Sequence, residues 1–247
     1  MNVSLISCLW LASQVVQIGV LLALFKRGWL ARYPAFTAYI VVQIVSDPLL
    51  AITQARFPPA YYFGYWATVL ATTALAIVIL YEVLQHVLPT LVARRKLRTT
   101  LIWLSVAFVA IRSVTNLGHR SVLDCITSVL MSVDRDIQVV TCGVGLFLLV
   151  FHKRLGISWR DLAVGIVAGF VLFSAVHMVV TAFMTHPTAL HRSTLVAINS
   201  AAYNLAALIW LAYAILSPNR RLGGSPGSAP PPGSGPGARS YAFQELR

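Results

Sequence analysis

Four ionisable side chains lie inside stretches that are otherwise apolar, namely Asp47, Arg112, Asp134 and His177, and Asn199 lies in a fifth such stretch. Ionisable residues in apolar segments are costly to bury, and in membrane helices they mark ligand sites, ion pathways or proton relays. Asp47 and Arg112 carry opposite charges and form a candidate ion pair. Because no nucleophile and base occur at a recognisable spacing, the five groups predict a binding pocket rather than a catalytic centre.

Two further polar residues, Tyr203 and Asn204, follow Asn199 by about one helical turn and are predicted to line the floor of this pocket. A structural interpretation stays open, because buried polar side chains also join membrane helices by hydrogen bonds. His177 fits an interhelical hydrogen bond as well as a ligand contact. Asp134, with two charged neighbours in sequence, fits a surface cluster as well as the pocket.

Glu82 and His86 are four residues apart and share one face of a helix, which makes them candidate metal ligands. A metal site needs further ligands at suitable positions, and no HxxxH or HExxH pattern occurs. We therefore expect the two side chains to lie near the membrane interface beside basic loops. No cofactor is predicted.

The composition is that of a membrane protein, with 58% hydrophobic and 11% charged residues among 247. Soluble domains carry about 25% charged residues. The apolar runs are continuous rather than alternating, which predicts an all-α chain of membrane-spanning helices. The net charge of +12 comes from residues in short loops, so the predicted partner is the lipid bilayer and not nucleic acid.

The apolar runs predict seven transmembrane helices, at about 4–25, 35–53, 62–88, 99–117, 131–151, 161–185 and 193–216. Residues 1–216 thus form one transmembrane domain. The fifth span is strongly apolar only from residue 137, and extending it back takes in three charged residues. The Gly-, Pro- and Ser-rich segment 217–247 is predicted to be a disordered cytoplasmic tail.

Seven crossings place most of the 19 basic residues on one side of the membrane, which indicates an outside N-terminus and an inside C-terminus. Trp29 and Trp210 are then expected at the inner interface. At about 1.5 Å per residue, the five polar groups lie in one layer about 18–25 Å from the inner ends. The pocket is therefore expected in the outer half of the bundle.

Gly165 and Gly169 form a GxxxG pattern in the sixth span. Small residues at this spacing allow close approach of helices. The pattern predicts tight packing within the bundle or, alternatively, a homodimer.

The phrases YPAFTAY in the second span and VILYEVLQHVL in the third, together with the layout of 4–216, resemble small uncharacterised bacterial seven-helix membrane proteins. These are similar to the membrane input modules of sensory proteins. The resemblance implies the inner membrane of a bacterium and assigns no functional residue. Microbial rhodopsins share the layout but need a lysine in the seventh span, which 193–216 lacks.

The sequence thus predicts a sensor-like or accessory membrane module that binds a small ligand in the outer pocket and signals to a cytoplasmic partner. The alternative is a small-solute or proton-coupled transporter that uses the same polar residues as a relay. A membrane enzyme comes third.

Overall fold

The computed structural model describes residues 3–87, 122–153, 158–185 and 192–218, and these residues form helices joined by short turns. The helices are α1 (Val3–Lys26), α2 (Pro34–Arg56), α3 (Pro58–Val87), α4 (Val122–Phe151), α5 (Leu162–Thr185) and α6 (Arg192–Leu216). The prediction of an all-α chain is confirmed for these residues. The predicted span 99–117 and the predicted tail from residue 219 lie outside the described residues.

Five of the six described helices, all except α4, are long and apolar enough to cross a membrane. The 30-residue α4 begins earlier than the predicted span 131–151. It contains Asp134, Arg135 and Asp136, and the apolar sequence after them is only half of its length. The described chain therefore has the helices of a membrane protein, and α4 carries the most charged residues of them.

The six helices pack in a ring in the order α1, α6, α5, α4, α3, α2 and back to α1. Four aromatic residues fill its centre and are called here the aromatic cluster: Phe36, Tyr39, Phe170 and Trp210. The Trp210 ring lies 5.5 Å from Phe36 and 5.0 Å from Phe170, and its Nε1 donates a hydrogen bond to the Ile166 carbonyl. Trp210, which was expected near the inner interface, is completely buried, so its indole faces the interior of the bundle rather than lipid.

The two faces of α1 show how the sequence fits the ring. Ser13, Gln17, Val20 and Leu24 are buried and recur at intervals of three or four residues, which places them on one face of the helix. The opposite face exposes the apolar side chains of Leu11, Val15, Ile18, Leu22 and Phe25. An exposed apolar face of this kind suits contact with lipid.

The GxxxG glycines lie at the contact between α5 and α6. A Cβ atom at Gly165 would overlap the Tyr213 side chain, and one at Gly169 would overlap the Trp210 indole. The two glycines thus allow close packing within the chain. A homodimer through the same residues stays a prediction.

Arg27 joins the end of α6 to the α1–α2 turn. Its guanidinium donates hydrogen bonds to the carbonyl oxygens of Ile215 and Ser217. A positive charge at the carboxyl end of a helix satisfies free carbonyls and complements the helix dipole. This end of the bundle, where α1 ends and α2 begins, is called the Lys26 end, and the opposite one the Val3 end.

Helices α3 and α4 run in the same direction. Thr73 Oγ1 of α3 donates a hydrogen bond to Asp134 Oδ1 of α4 at 3.2 Å. Further along both helices, Val83 and Gly145 line one small apolar cavity. Helix α3 therefore ends at the Lys26 end, whereas α4 begins at the Val3 end.

Candidate functional site

A cavity of about 420 Å³ lies between α1, α2, α5 and α6. Pockets for small molecules are typically about 300–1,000 Å³. Four of the predicted site residues, Asp47, Asn199, Tyr203 and Asn204, line this cavity. The other lining residues are Leu9, Trp10, Ser13, Gln43, Phe173 and Ser200.

The cavity lies in the half of the bundle nearer the Val3 end. It is lined by the first half of α1 and of α6 and by the middle of α2. Toward the Lys26 end it meets the aromatic cluster, because the Tyr203 ring lies 6.2 Å from that of Trp210 in an edge-on arrangement. Tyr203 therefore belongs to the cavity wall and also contacts the aromatic cluster.

Asp47 receives a hydrogen bond from α1. Gln14 Nε2 donates to Asp47 Oδ2 at 2.6 Å, and the described residues give Asp47 no other hydrogen bond. Its side chain is half-buried. Arg112, the predicted ion-pair partner, lies outside the described residues, so the ion pair stays a prediction.

Tyr203 is held by a hydrogen-bond network on the cavity wall. Gln17 Nε2 donates to the Tyr203 hydroxyl at 2.9 Å and to Ser13 Oγ at 3.1 Å. On α2, the Tyr39 hydroxyl accepts a hydrogen bond from Gln43 Nε2 at 3.2 Å. The Gln17–Tyr203 bond thus joins α1 to α6 at the cavity wall.

The Asn204 amide uses its donors and leaves its acceptor unused. Asn204 Nδ2 donates to the carbonyls of Leu9 at 3.0 Å and Ser200 at 2.9 Å. Its Oδ1 is buried without a hydrogen-bond partner among the described residues, and so is Oε1 of Gln17. Buried polar atoms are normally paired, so these two acceptors beside the cavity are exceptions to the usual pattern.

His177 and Asp134 lie beside the cavity rather than among its lining residues. His177 Nε2 is 3.4 Å from Asp134 Oδ2, and Nδ1 is 3.1 Å from Asn199 Oδ1. Together with the Thr73–Asp134 bond, these contacts connect α3, α4, α5 and α6. Both ring nitrogens of His177 face oxygen atoms, whereas a neutral imidazole donates through only one of them.

Sequence analysis missed five neutral polar residues of this site, which are Ser13, Gln14, Gln17, Gln43 and Thr73. Their spacing carried a usable signal. Ser13 and Gln17 are four residues apart, as are Gln43 and Asp47, and residues at this interval share a helix face. Asp47 could be predicted from its charge alone, whereas uncharged side chains form most of the hydrogen bonds at this site.

Glu82 and His86 lie apart from the cavity, near the Lys26 end. The two Glu82 oxygens accept the backbone N–H groups of Ala35 at 3.2 Å and Phe36 at 3.3 Å, so Glu82 caps the first turn of α2. The His86 ring stacks on Tyr33, with 4.9 Å between centroids, and burial raises the pKa of the Tyr33 hydroxyl. The described residues bring no group of three potential ligands together.

No protein-family model, curated protein or solved structure matches this chain. The geometry itself offers a binding site with one carboxylate, several amide and hydroxyl groups and three aromatic rings. A hydrogen-bonded His–Asp pair lies directly behind its wall. Such an arrangement can hold and orient a small polar molecule.

Proposed function

We propose that the chain is a sensor-like or accessory membrane protein that binds a small molecule in the cavity between α1, α2, α5 and α6. The observation that carries this proposal is the cavity itself, which has the volume of a ligand site and a wall of positioned polar groups. Ligand affinity that differs between two packings of the helices would shift their populations.

The proposed topology has seven crossings. The parallel course of α3 and α4 supports this number, because residues 88–121 must return from one end of the bundle to the other. The predicted span 99–117 is about 28 Å long as a helix, close to the thickness of about 30 Å of the hydrocarbon core.

The proposed orientation places the Lys26 end in the cytoplasm of a bacterium, with the protein in the inner membrane. Basic residues of the described loops and helix ends support it. Those at the Lys26 end are Lys26, Arg27, Arg32, Lys153 and Arg160, and those at the Val3 end are Arg56 and Arg192. Cytoplasmic loops carry the excess of lysine and arginine.

The fold also contains a connection from the cavity to the proposed cytoplasmic side. Helices α1 and α6 both line the cavity, and Arg27 fastens them together at the Lys26 end. Helix α2 lines it as well, and Glu82 of α3 holds the first turn of α2. A shift of these helices around a ligand would move the Lys26 end, where a partner would respond.

A transporter needs access to its site from both sides of the membrane. The aromatic cluster lies on the Lys26 side of Tyr203. It is closely packed and contains the fully buried side chains of Phe36 and Trp210. This favours binding without passage. The His177–Asp134 pair is the feature that a proton-coupled carrier would use instead.

The test is a thermal-stability screen of the full chain in lipid nanodiscs against a library of small metabolites. We expect at least one compound to raise the Tm of wild type but not that of Ser200→Phe, which fills the cavity. Ala201→Phe is the matched control, because residue 201 is exposed on the outer surface of α6. It should keep the response.

Two results would overturn the proposal. One is a screen in which no compound acts, or in which Ser200→Phe responds like wild type. The other is uptake of the stabilising compound by vesicles that contain the protein, because net flux would identify a transporter.

A further inference from the structure

We propose that the ligand of the cavity is an organic primary ammonium ion with an apolar body. This inference rests on the proposed function and names its ligand class. Two features of the cavity wall support it, which are a carboxylate and aromatic rings, together with unpaired hydrogen-bond acceptors buried beside the cavity.

Asp47 is the only charged residue among the ten described residues that line the cavity. It receives one neutral hydrogen bond, from Gln14. A half-buried carboxylate inside an apolar bundle is stabilised most by a cation that also donates hydrogen bonds to it. An ammonium group satisfies both requirements, whereas an anionic ligand would be repelled.

Aromatic side chains form the apolar part of the wall. Trp10 of α1, Phe173 of α5 and Tyr203 of α6 line the cavity, and the Phe173 and Tyr203 rings meet edge to face at 5.4 Å. Aromatic faces attract cations and accept the apolar body of a ligand. This composition suits an amine that carries a hydrocarbon or aryl group.

The polar atoms near the cavity that lack a hydrogen-bond partner among the described residues are acceptors. Asn204 and Gln17 donate through their amide nitrogens to protein groups, and each keeps a buried oxygen without a partner among the described residues. Asn204 lines the cavity directly, and Gln17 lies behind Ser13 and Tyr203. A primary ammonium group has three N–H donors and can donate to Asp47, which a quaternary ammonium group cannot do.

Three compounds of one shape test this inference: 2-phenylethylammonium, neutral 2-phenylethanol and anionic phenylacetate. Their binding to the full chain is measured by titration calorimetry in nanodiscs of zwitterionic lipid, which do not attract cations by charge. We expect the ammonium compound to bind at least about tenfold more tightly than the other two.

The variant Asp47→Asn should lose this preference. The matched control is Asp161→Asn, in the turn before α5 at the Lys26 end. Its side chain accepts the Ser158 N–H, and asparagine keeps an oxygen for that bond. The control should bind like wild type.

Equal binding of the three compounds, a preference that survives Asp47→Asn, or no binding of the ammonium compound to wild type would overturn the inference. Binding that occurs only in Arg112→Gln would also overturn it, because Arg112 would then be the cation that neutralises Asp47. A neutral or anionic compound that acts in the metabolite screen and not on Ser200→Phe would leave the proposed function intact. If no compound acts in the screen and the ammonium compound does not bind in the titration, both the proposed function and this inference are wrong.

Discussion

The imidazole of His177 in α5 lies 3.4 Å from the Asp134 carboxylate in α4, and its other nitrogen lies 3.1 Å from the Asn199 amide oxygen in α6. One side chain thus joins three helices beside the cavity. Asn199 belongs to the cavity wall, so a change at the His177–Asp134 pair can reach the proposed ligand. Asp134 also accepts a hydrogen bond from the Thr73 hydroxyl, so α3 is joined to the same group of helices.

This pair should show energetic coupling. We expect His177→Phe and Asp134→Asn to destabilise the protein, and the double variant to be more stable than the sum predicts by about 0.6–1.7 kcal/mol, the range found for hydrogen bonds between membrane helices. Reversible unfolding in mixed detergent measures all four proteins. The control cycle pairs Asp134→Asn with His86→Phe at the Lys26 end and should be additive. If the effects of His177→Phe and Asp134→Asn on the free energy of unfolding also add to within about 0.3–0.5 kcal/mol, this result would contradict the contact.

Glu82 should stabilise the fold by capping α2. Replacing it with leucine leaves the N–H groups of Ala35 and Phe36 buried without an acceptor, which should cost about 2–3 kcal/mol. Glu82→Gln keeps one acceptor oxygen and should cost about half as much. Thermal unfolding in detergent measures both, with Gln85→Leu on the same turn as the control. A stable Glu82→Leu protein would show that water or another acceptor replaces the cap.

The glycines of α5 and α4 should respond in opposite directions to the same substitution. Gly169→Ala should destabilise the chain by about 1–3 kcal/mol, because its Cβ overlaps the Trp210 indole. Gly143→Ala meets no atom within 4 Å and should be neutral or up to about 1 kcal/mol stabilising, since alanine favours helix. Unfolding midpoints measure both effects.

The same two variants separate packing within the chain from packing between chains. A loss at Gly169→Ala that does not depend on protein concentration follows from the α5–α6 contact. A loss that disappears on dilution, together with a smaller particle in light scattering, would instead indicate the predicted homodimer.

The proposed orientation predicts which loops face the cytoplasm. Single cysteines replace Arg56 at the Val3 end and Lys153 at the Lys26 end, both of which are exposed, in a background without the three native cysteines. In intact bacterial cells a membrane-impermeant maleimide should label Arg56→Cys, and it should label Lys153→Cys only after lysis. The reverse pattern would show that the topology is inverted. Labelling of both cysteines in intact cells would show that the chain crosses the membrane one time fewer between them than proposed.

The sequence by itself determined the helical class and the polar layer. Long apolar runs must satisfy their own backbone groups in lipid, and helices do so without partners, so hydropathy alone predicts helical structure. Distance along a helix follows from residue number at a fixed rise. For that reason Asp47 and Asn199 could be assigned to one layer, and Tyr203 and Asn204 to the floor of the pocket, before their contacts were known.

Only the tertiary structure decided which way each helix faces and which helices are neighbours. It showed that Trp210 is buried in the centre of the ring, that Gln14 donates a hydrogen bond to Asp47, and that Glu82 caps the first turn of α2. Rotation about a helix axis and the choice of neighbour depend on how side chains from several helices fit together. That fit is a property of the assembled bundle, and no single span contains it.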